Sequence, residues 1–426
     1  MIRTELANGV FFNYLPAQKF KTGFLSAQFI TPITRETASL NALLPAVLRR
    51  GTAGYPDMRS IATALDLLYG ARIEYTVRKK GENQCVGFVA SLIDDSFALG
   101  GERLLEPVAD LLGELICNPV TASGRFLPAF VEGEKENLTD AIASLINDKR
   151  DYADLRLLQE MCKDEPYGVS RMGDEKHVEK ITPTKLYSHY LDLLSTARLE
   201  LFYSGSADLE RVSAALSSAF STLPRENVRE AALTTTRPAP ESPRTITEAM
   251  DVSQGKLAIG FRCDSRDTPA MLLANALFGG TSNSKLFLNV REKLSLCYFA
   301  SSQYHRQKGI VTVSSGIECK NYQRAYDEIM AQLKAVQTGK LEDWELTGAR
   351  STILNAFRSM EDSQGRLEDF YLGQVATGQT ETPEDLIMQV AETPLERVLA
   401  AASSMQLDTV YFLREKEGTT HAEDQL

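Results

Sequence analysis

The sequence predicts an α+β protein built from two similar halves joined by a linker. Three observations carry this expectation. Residues 222–246, "TLPRENVREAALTTTRPAPESPRTI", are rich in Pro, Thr and charge and lack apolar periodicity, which marks a linker. Each half of the 426-residue chain then repeats one order of elements: helix, strand, Lys-Gly turn, returning strand, helix. Each half also ends in a strand, "RLELFYSG" or "DTVYFLRE". Duplication of one α+β unit is the economical explanation, with domains at 1–221 and 247–426.

In the first half, "PDMRSIATALDLLYG" places Ile61, Leu65 and Leu68 on one helical face, with Asp57 as N-cap and Gly70 as stop. "RIEYTV" alternates, so Ile73, Tyr75 and Val77 share one side of a strand. The chain turns at Lys80-Gly81 and returns through "CVGFVASLI" to the helix "GERLLEPVADLLGELICN". In the second half, "TPAMLLANALFGG" is an apolar helix ending at Gly279-Gly280. "CYFASSQY" and "IVTVSSGI" are strands joined through Lys308-Gly309. "NYQRAYDEIMAQLKAVQTG" is an amphipathic helix with Asn321 as N-cap and Gly339 as stop.

Composition narrows the function classes. A hydrophobic share of 43% and a charged share of 24% are ordinary for a soluble globular protein. A net charge of −11 argues against nucleic acid or an anionic membrane as the main partner. No run approaches the roughly 20 apolar residues of a membrane span, and the N-terminus does not read as a signal peptide. Six scattered cysteines without a CxxC pair suggest neither a zinc ribbon nor a redox motif, and fit a reducing cytoplasm.

Catalytic motifs are scarce. The four histidines, His177, His189, His305 and His421, include no pair at the i, i+4 spacing that puts two imidazoles on one helix face. GxSxG, the Walker A loop and GxGxxG are missing. "FGGTSNSKLF" lacks the GK[ST] ending and reads as a helix end leading into a polar loop. One helical stretch, "SLNALLPAVLRRGT", carries Pro45 inside it, which removes a backbone donor and crowds the preceding turn.

"FGGTSNSKLFLNVREKLSLCY" resembles the FGG-x-x-S-x-LF-x-x-VREK-x-GL-x-Y segment of the M16 (insulinase/pitrilysin, mitochondrial processing peptidase-like) zinc peptidases. "DEPYGVSRMGDEKHVEKITPTKLYSHYLDLLSTARLELFYSGSAD" is similar to a second family stretch. The resemblance spans essentially the whole chain and implies two M16-type α/β sandwich domains, LuxS/MPP-like, enclosing a chamber. The family's metal site is an HxxEH helix plus a distal glutamate. Anchored on Gly51-Thr52, HxxEH falls on residues 42–46, so the two histidine positions are Ala42 and Ala46 and the glutamate position is Pro45. Glu134 matches the accessory glutamate, and Ala141 falls on the ligand glutamate. The family's arginine and tyrosine, which hold the substrate backbone and stabilise the oxyanion, match Arg291 and Tyr298. A guanidinium gives fixed donors to carbonyl oxygen, and a phenol can donate to a developing oxyanion. Two positions depart from the family pattern: Ser295 replaces a glycine and Cys297 a small residue.

The resemblance therefore implies a zinc-less, non-catalytic subunit of bacterial type, inactive alone, with no cofactor of its own. An HxxEH-bearing M16 partner would hold the zinc, in a heterodimer, or a homodimer would form. The implied ligand is a peptide, with no nucleic acid and no membrane, and the expected location is the cytoplasm. The alternative is a structural or peptide-binding M16-fold protein without a proteolytic role.

Overall fold

The computed structural model describes residues 1–416, and these form two compact units. Unit 1 holds Met1–Ala143, Val169–Leu233 and Ser363–Gln379. Unit 2 holds Ser144–Gly168, Thr234–Asp362 and the chain from Thr380 onward. Each unit thus takes one short segment from the far side of the linker, a feature that chain order alone does not reveal.

Unit 1 is built on β1 (Ile2–Ala7), β2 (Val10–Pro16), β3 (Thr22–Pro32), β4 (Arg72–Lys80), β5 (Asn83–Ile93) and β8 (Arg198–Gly205), beside a small hairpin of β6 (Thr121–Ala122) and β7 (Arg125–Phe126). The sheet order is β1-β2-β8-β3-β5-β4, with β2 and β8 parallel and the other neighbours antiparallel. Its strands are apolar on both faces, so period-two alternation gives two cores. Phe12, Leu25, Phe88 and Leu201 face helices that include Ala38–Leu48, Leu105–Cys117 and Pro183–Thr196. Leu15, Ile30, Cys85 and Phe202 pack instead with Tyr371, Leu372 and Ala376 of the Gln364–Thr377 helix.

Unit 2 contains β9 (Arg244–Met250), β10 (Gly255–Cys263), β11 (Cys297–His305), β12 (Ile310–Ile317) and β13 (Met405–Glu415), in the order β11-β12-β10-β13-β9. Only the β13–β9 pair is parallel. Leu257, Ile259, Phe261 and Val313 face the helices of its own half, including Tyr322–Gln337. Ala258, Tyr411 and Leu413 pack with Ala153 and Leu157 of the Lys149–Met161 helix.

Local signals in the sequence have identifiable outcomes. Asp57 accepts from the Ser60 amide in a capping box. Both Lys-Gly hairpin turns use the left-handed region, at Gly81 (φ +57°) and Gly309 (φ +69°). Asn321 occupies the N-cap position, but its side-chain amide donates to Glu318 rather than capping the helix. "GDEKHVEK" forms a short helix, Glu175–Glu179, capped by Asp174. The linker is irregular to residue 243, and 244–246 already belong to β9. Arg225 fastens its start to the Asn8, Gly9, Leu194 and Ala197 carbonyls. Among the described residues no helix is long and apolar enough to cross a membrane.

Candidate functional site

The proline-bearing stretch folds as the Ala38–Leu48 helix, and all of its residues are buried. Pro45 deprives the Asn41 carbonyl of its helical donor, yet the Arg49 amide still bonds to the Pro45 carbonyl at 3.1 Å. Burial of the whole helix, most of it apolar, compensates for one lost bond. The Asn41 side chain is fully buried and joins a polar network that the sequence did not reveal. His189 Nε2 lies 2.7 Å from Asn41 Oδ1, and Asn41 Nδ2 donates to Gln84 at 2.9 Å. Burial pushes the His189 imidazole down to about 4, so its neutral Nε2–H donates to Asn41.

Ala42 and Ala46, one helical turn apart, line a cavity of about 470 Å³. Glu134, Asn137, Leu138 and Ala141 line it from the Pro128–Ser144 helix. Their i, i+3, i+4, i+7 spacing puts them on one face, a signal that was available in the sequence. The structure therefore gathers four of the positions that the resemblance assigns to the metal site, Ala42, Ala46, Glu134 and Ala141, around one space within unit 1. Pro45 is the exception: it lines a narrower crevice with Phe29, Leu48 and Phe88.

These residues do not fit a zinc ion. A zinc site of this kind takes three N or O donors plus a water position. Ala42, Ala46 and Ala141 carry none, and Glu134 is engaged by Arg50 Nε at 3.3 Å and Asn137 Nδ2 at 3.0 Å. Among the described residues no group of three or more His, Cys, Asp or Glu could hold a metal. The histidines have other work. His177 meets Asp174 at its helix cap, and His305 contacts the Tyr167 and Thr312 hydroxyls. His421 lies outside the described residues.

Arg291 and Tyr298 line one cavity of about 450 Å³ in unit 2, with Glu292, Ser295, Cys297 and Glu318. Arg291 lies on Leu286–Lys293, a widened helix in which the Leu294 amide reaches the Asn289 carbonyl five residues back, at 3.1 Å. Such wide turns recur at functional sites. Its guanidinium sits 4.6 Å from the Phe287 ring centre and 3.6 Å from the Glu292 carboxylate. Tyr298 lies on the edge strand β11. Cys297 opposes Ile317 and Phe299 opposes Gly316, so Tyr298 is the extra residue of a β-bulge. The bulge turns the ring outward and leaves it 72% exposed, while burial pushes the neighbouring Cys297 thiol up.

Within unit 1 the positions expected to hold a metal carry no donors that fit one, and within unit 2 Arg291 and Tyr298 line one cavity. Comparison with known proteins gives the chain a family. Residues 180–353 match the family described as Peptidase M16 inactive domain. The chain is 34% identical over 419 residues to the probable inactive metalloprotease YmfF of Bacillus subtilis, covering 97% of both chains. The protein belongs to the M16 peptidase family, as a member of its inactive type. Solved structures agree in fold. A conserved protein from Enterococcus faecalis superposes with a TM-score of 0.90 at 26% identity, covering 98% of this chain and 99% of its own. A peptidase M16 inactive domain from Pseudomonas fluorescens gives 0.78 at 17% identity, with 99% of each chain covered.

Proposed function

We propose that this chain is the non-catalytic subunit of a cytoplasmic M16 peptidase. It binds peptide and supplies Arg291 and Tyr298 to an HxxEH-bearing partner that holds the zinc. One observation carries the reading: two side chains seven positions apart, one on a widened helix and one on a bulge, share a solvent-open cavity. Packing gives no reason to turn a tyrosine outward on an edge strand. Arg291 offers charged donors to a peptide carbonyl, and Tyr298 offers a hydroxyl to a developing oxyanion.

The test mixes the purified chain with an HxxEH-type M16 subunit and follows cleavage of a fluorogenic peptide. The chain alone is silent and the mixture is active. Arg291→Ala and Tyr298→Phe each lower kcat of the mixture by about 10²-fold, the scale of a lost oxyanion donor. Full activity from both variants would falsify the subunit reading. Association is measured in parallel by sedimentation, which separates a heterodimer from a homodimer.

A further inference from the structure

The geometry points to a second use for the blank metal site: the cavity in unit 1 holds the free carboxyl end of a peptide whose last residue is aliphatic. This rests on the peptide-binding reading above and names the ligand class of the other cavity. Its floor is apolar, made by Ala42, Ala46, Leu138 and Ala141, with the adaptable thioether of Met172. Its volume of about 470 Å³ is ample for a leucine side chain and the backbone carrying it.

The charges at the cavity decide which end of a peptide fits. Glu134 is neutralised by Arg50 at 3.3 Å. Arg78 is held by both oxygens of Glu368, at 2.6 and 2.8 Å. Arg171 differs. Its Nη1 donates to the Val77 carbonyl at 2.8 Å, and among the described residues it has no carboxylate partner. Arg171 is solvent-exposed, and its remaining N–H groups suit a carboxylate beside an apolar floor. An ammonium or a lysine side chain would meet the guanidinium unfavourably.

The test titrates the full chain with three peptides: acetyl-Ala-Ala-Ala-Leu as the free acid, the same peptide as its C-terminal amide, and acetyl-Ala-Ala-Ala-Asp as the acid. Calorimetry gives each Kd. The leucine acid binds at least threefold tighter than the amide and at least tenfold tighter than the aspartate peptide, the latter from burial of one leucine side chain. Arg171→Gln abolishes the acid–amide difference and keeps the leucine preference. Ala141→Phe fills the floor and abolishes the leucine preference, and Ala46→Met serves the same purpose should the first variant not fold. Equal affinities for acid and amide, a leucine preference that survives filling, or no binding at all would overturn the inference. The subunit reading fails separately, on the Arg291 and Tyr298 variants. Loss of partner-dependent activity in those variants alongside a cavity that ignores leucine removes this inference alone.

Discussion

Unit 1 and unit 2 solve the same packing problem with different polar fastenings. Each has a sheet that is apolar on both faces, and each covers its second face with a helix from beyond the linker: Gln364–Thr377 in unit 1, Lys149–Met161 in unit 2. In unit 1 one largely buried pair secures the borrowed helix, Arg78 with Glu368; Ser26 Oγ donates to that carboxylate at 2.7 Å, and the half-exposed Asp369 beside it takes Arg78 at 3.3 Å and Lys80 at 2.7 Å. Burial works against the Arg78 charge, but the bond to Glu368 together with the charges of Glu368 and Asp369 outweighs it, and the guanidinium stays protonated. In unit 2 a cluster of four buried charges does the job. Glu165, just past the borrowed helix, meets Arg262 and the fully buried Lys308, and Asp408 takes the other side of Arg262. The unit 1 latch grades from a buried carboxylate, Glu368, to the half-exposed Asp369, whereas the unit 2 cluster buries all four of its charges, so that any single deletion there leaves a buried charge unbalanced.

Removing one carboxylate from either latch has the largest expected effect. Glu368→Ala leaves Arg78 buried without its main partner and lowers stability by about 3–5 kcal/mol in urea unfolding. Glu165→Ala removes the buried carboxylate that Lys308 and Arg262 share, Arg262 keeping Asp408, and costs at least as much. The double variant Arg78→Met, Glu368→Leu recovers most of the unit 1 loss, because no unpaired charge remains. If each single variant costs under 1 kcal/mol, the latches are not what holds the borrowed helices.

Acid acts on the two units with opposite signs. His189 of unit 1 has a folded value of about 4, below its ordinary 6.5, because burial disfavours the cation. Its contribution is fully present above pH 6.5 and is lost as pH falls towards 4, a change of about 3 kcal/mol. Asp154 on the borrowed helix of unit 2 is pushed up to about 6, chiefly by burial. The folded state holds its proton more tightly than the unfolded chain does. Its contribution is fully present below the unfolded value near 3.8 and is lost as pH rises through 6, a change of about 2–3 kcal/mol. His189→Gln therefore removes a stability loss on acidification, and Asp154→Asn removes a gain. Stability measured from pH 7 to 4 in both variants checks the signs, and equal slopes would erase the contrast.

The sequence carried the hairpins, their Lys-Gly turns and the closing strands, because each rests on local periodicity or a turn signal. The resemblance singled out Arg291 and Tyr298, and both line one cavity in unit 2. The helix exchange was hidden because no local pattern says which sheet a helix will cover. "KRDYADLRLLQEM" is only weakly apolar, so its buried Ala153, Leu157 and Met161 do not announce a core element. Nothing in "RKKG", "FRCD" or "RQKG" marks Arg78, Arg262 or Lys308 for burial, since a charge is buried only where a distant carboxylate meets it. The bulge at Tyr298 escaped for the same reason: it depends on register against β12.

The smallest effect tests the turn that leads into β11. Ser295 sits at φ +49°, in the left-handed region where a side chain costs about 1–2 kcal/mol. The family motif that this stretch resembles has glycine there, which adopts this conformation freely but has more freedom to lose on folding, about 0.5–1 kcal/mol. Ser295→Gly therefore stabilises unit 2 by a net amount of about 0.5–1 kcal/mol, read from the urea midpoint at constant m-value. The turn separates Arg291 from Tyr298 and sets their spacing across the cavity. A serine that is merely strained predicts a stabilised variant with unchanged partner-dependent kcat. A serine that holds the two side chains at a working distance predicts the same stability gain with a lower kcat. A loss of stability would mean that the serine hydroxyl, rather than the backbone, dominates at this position.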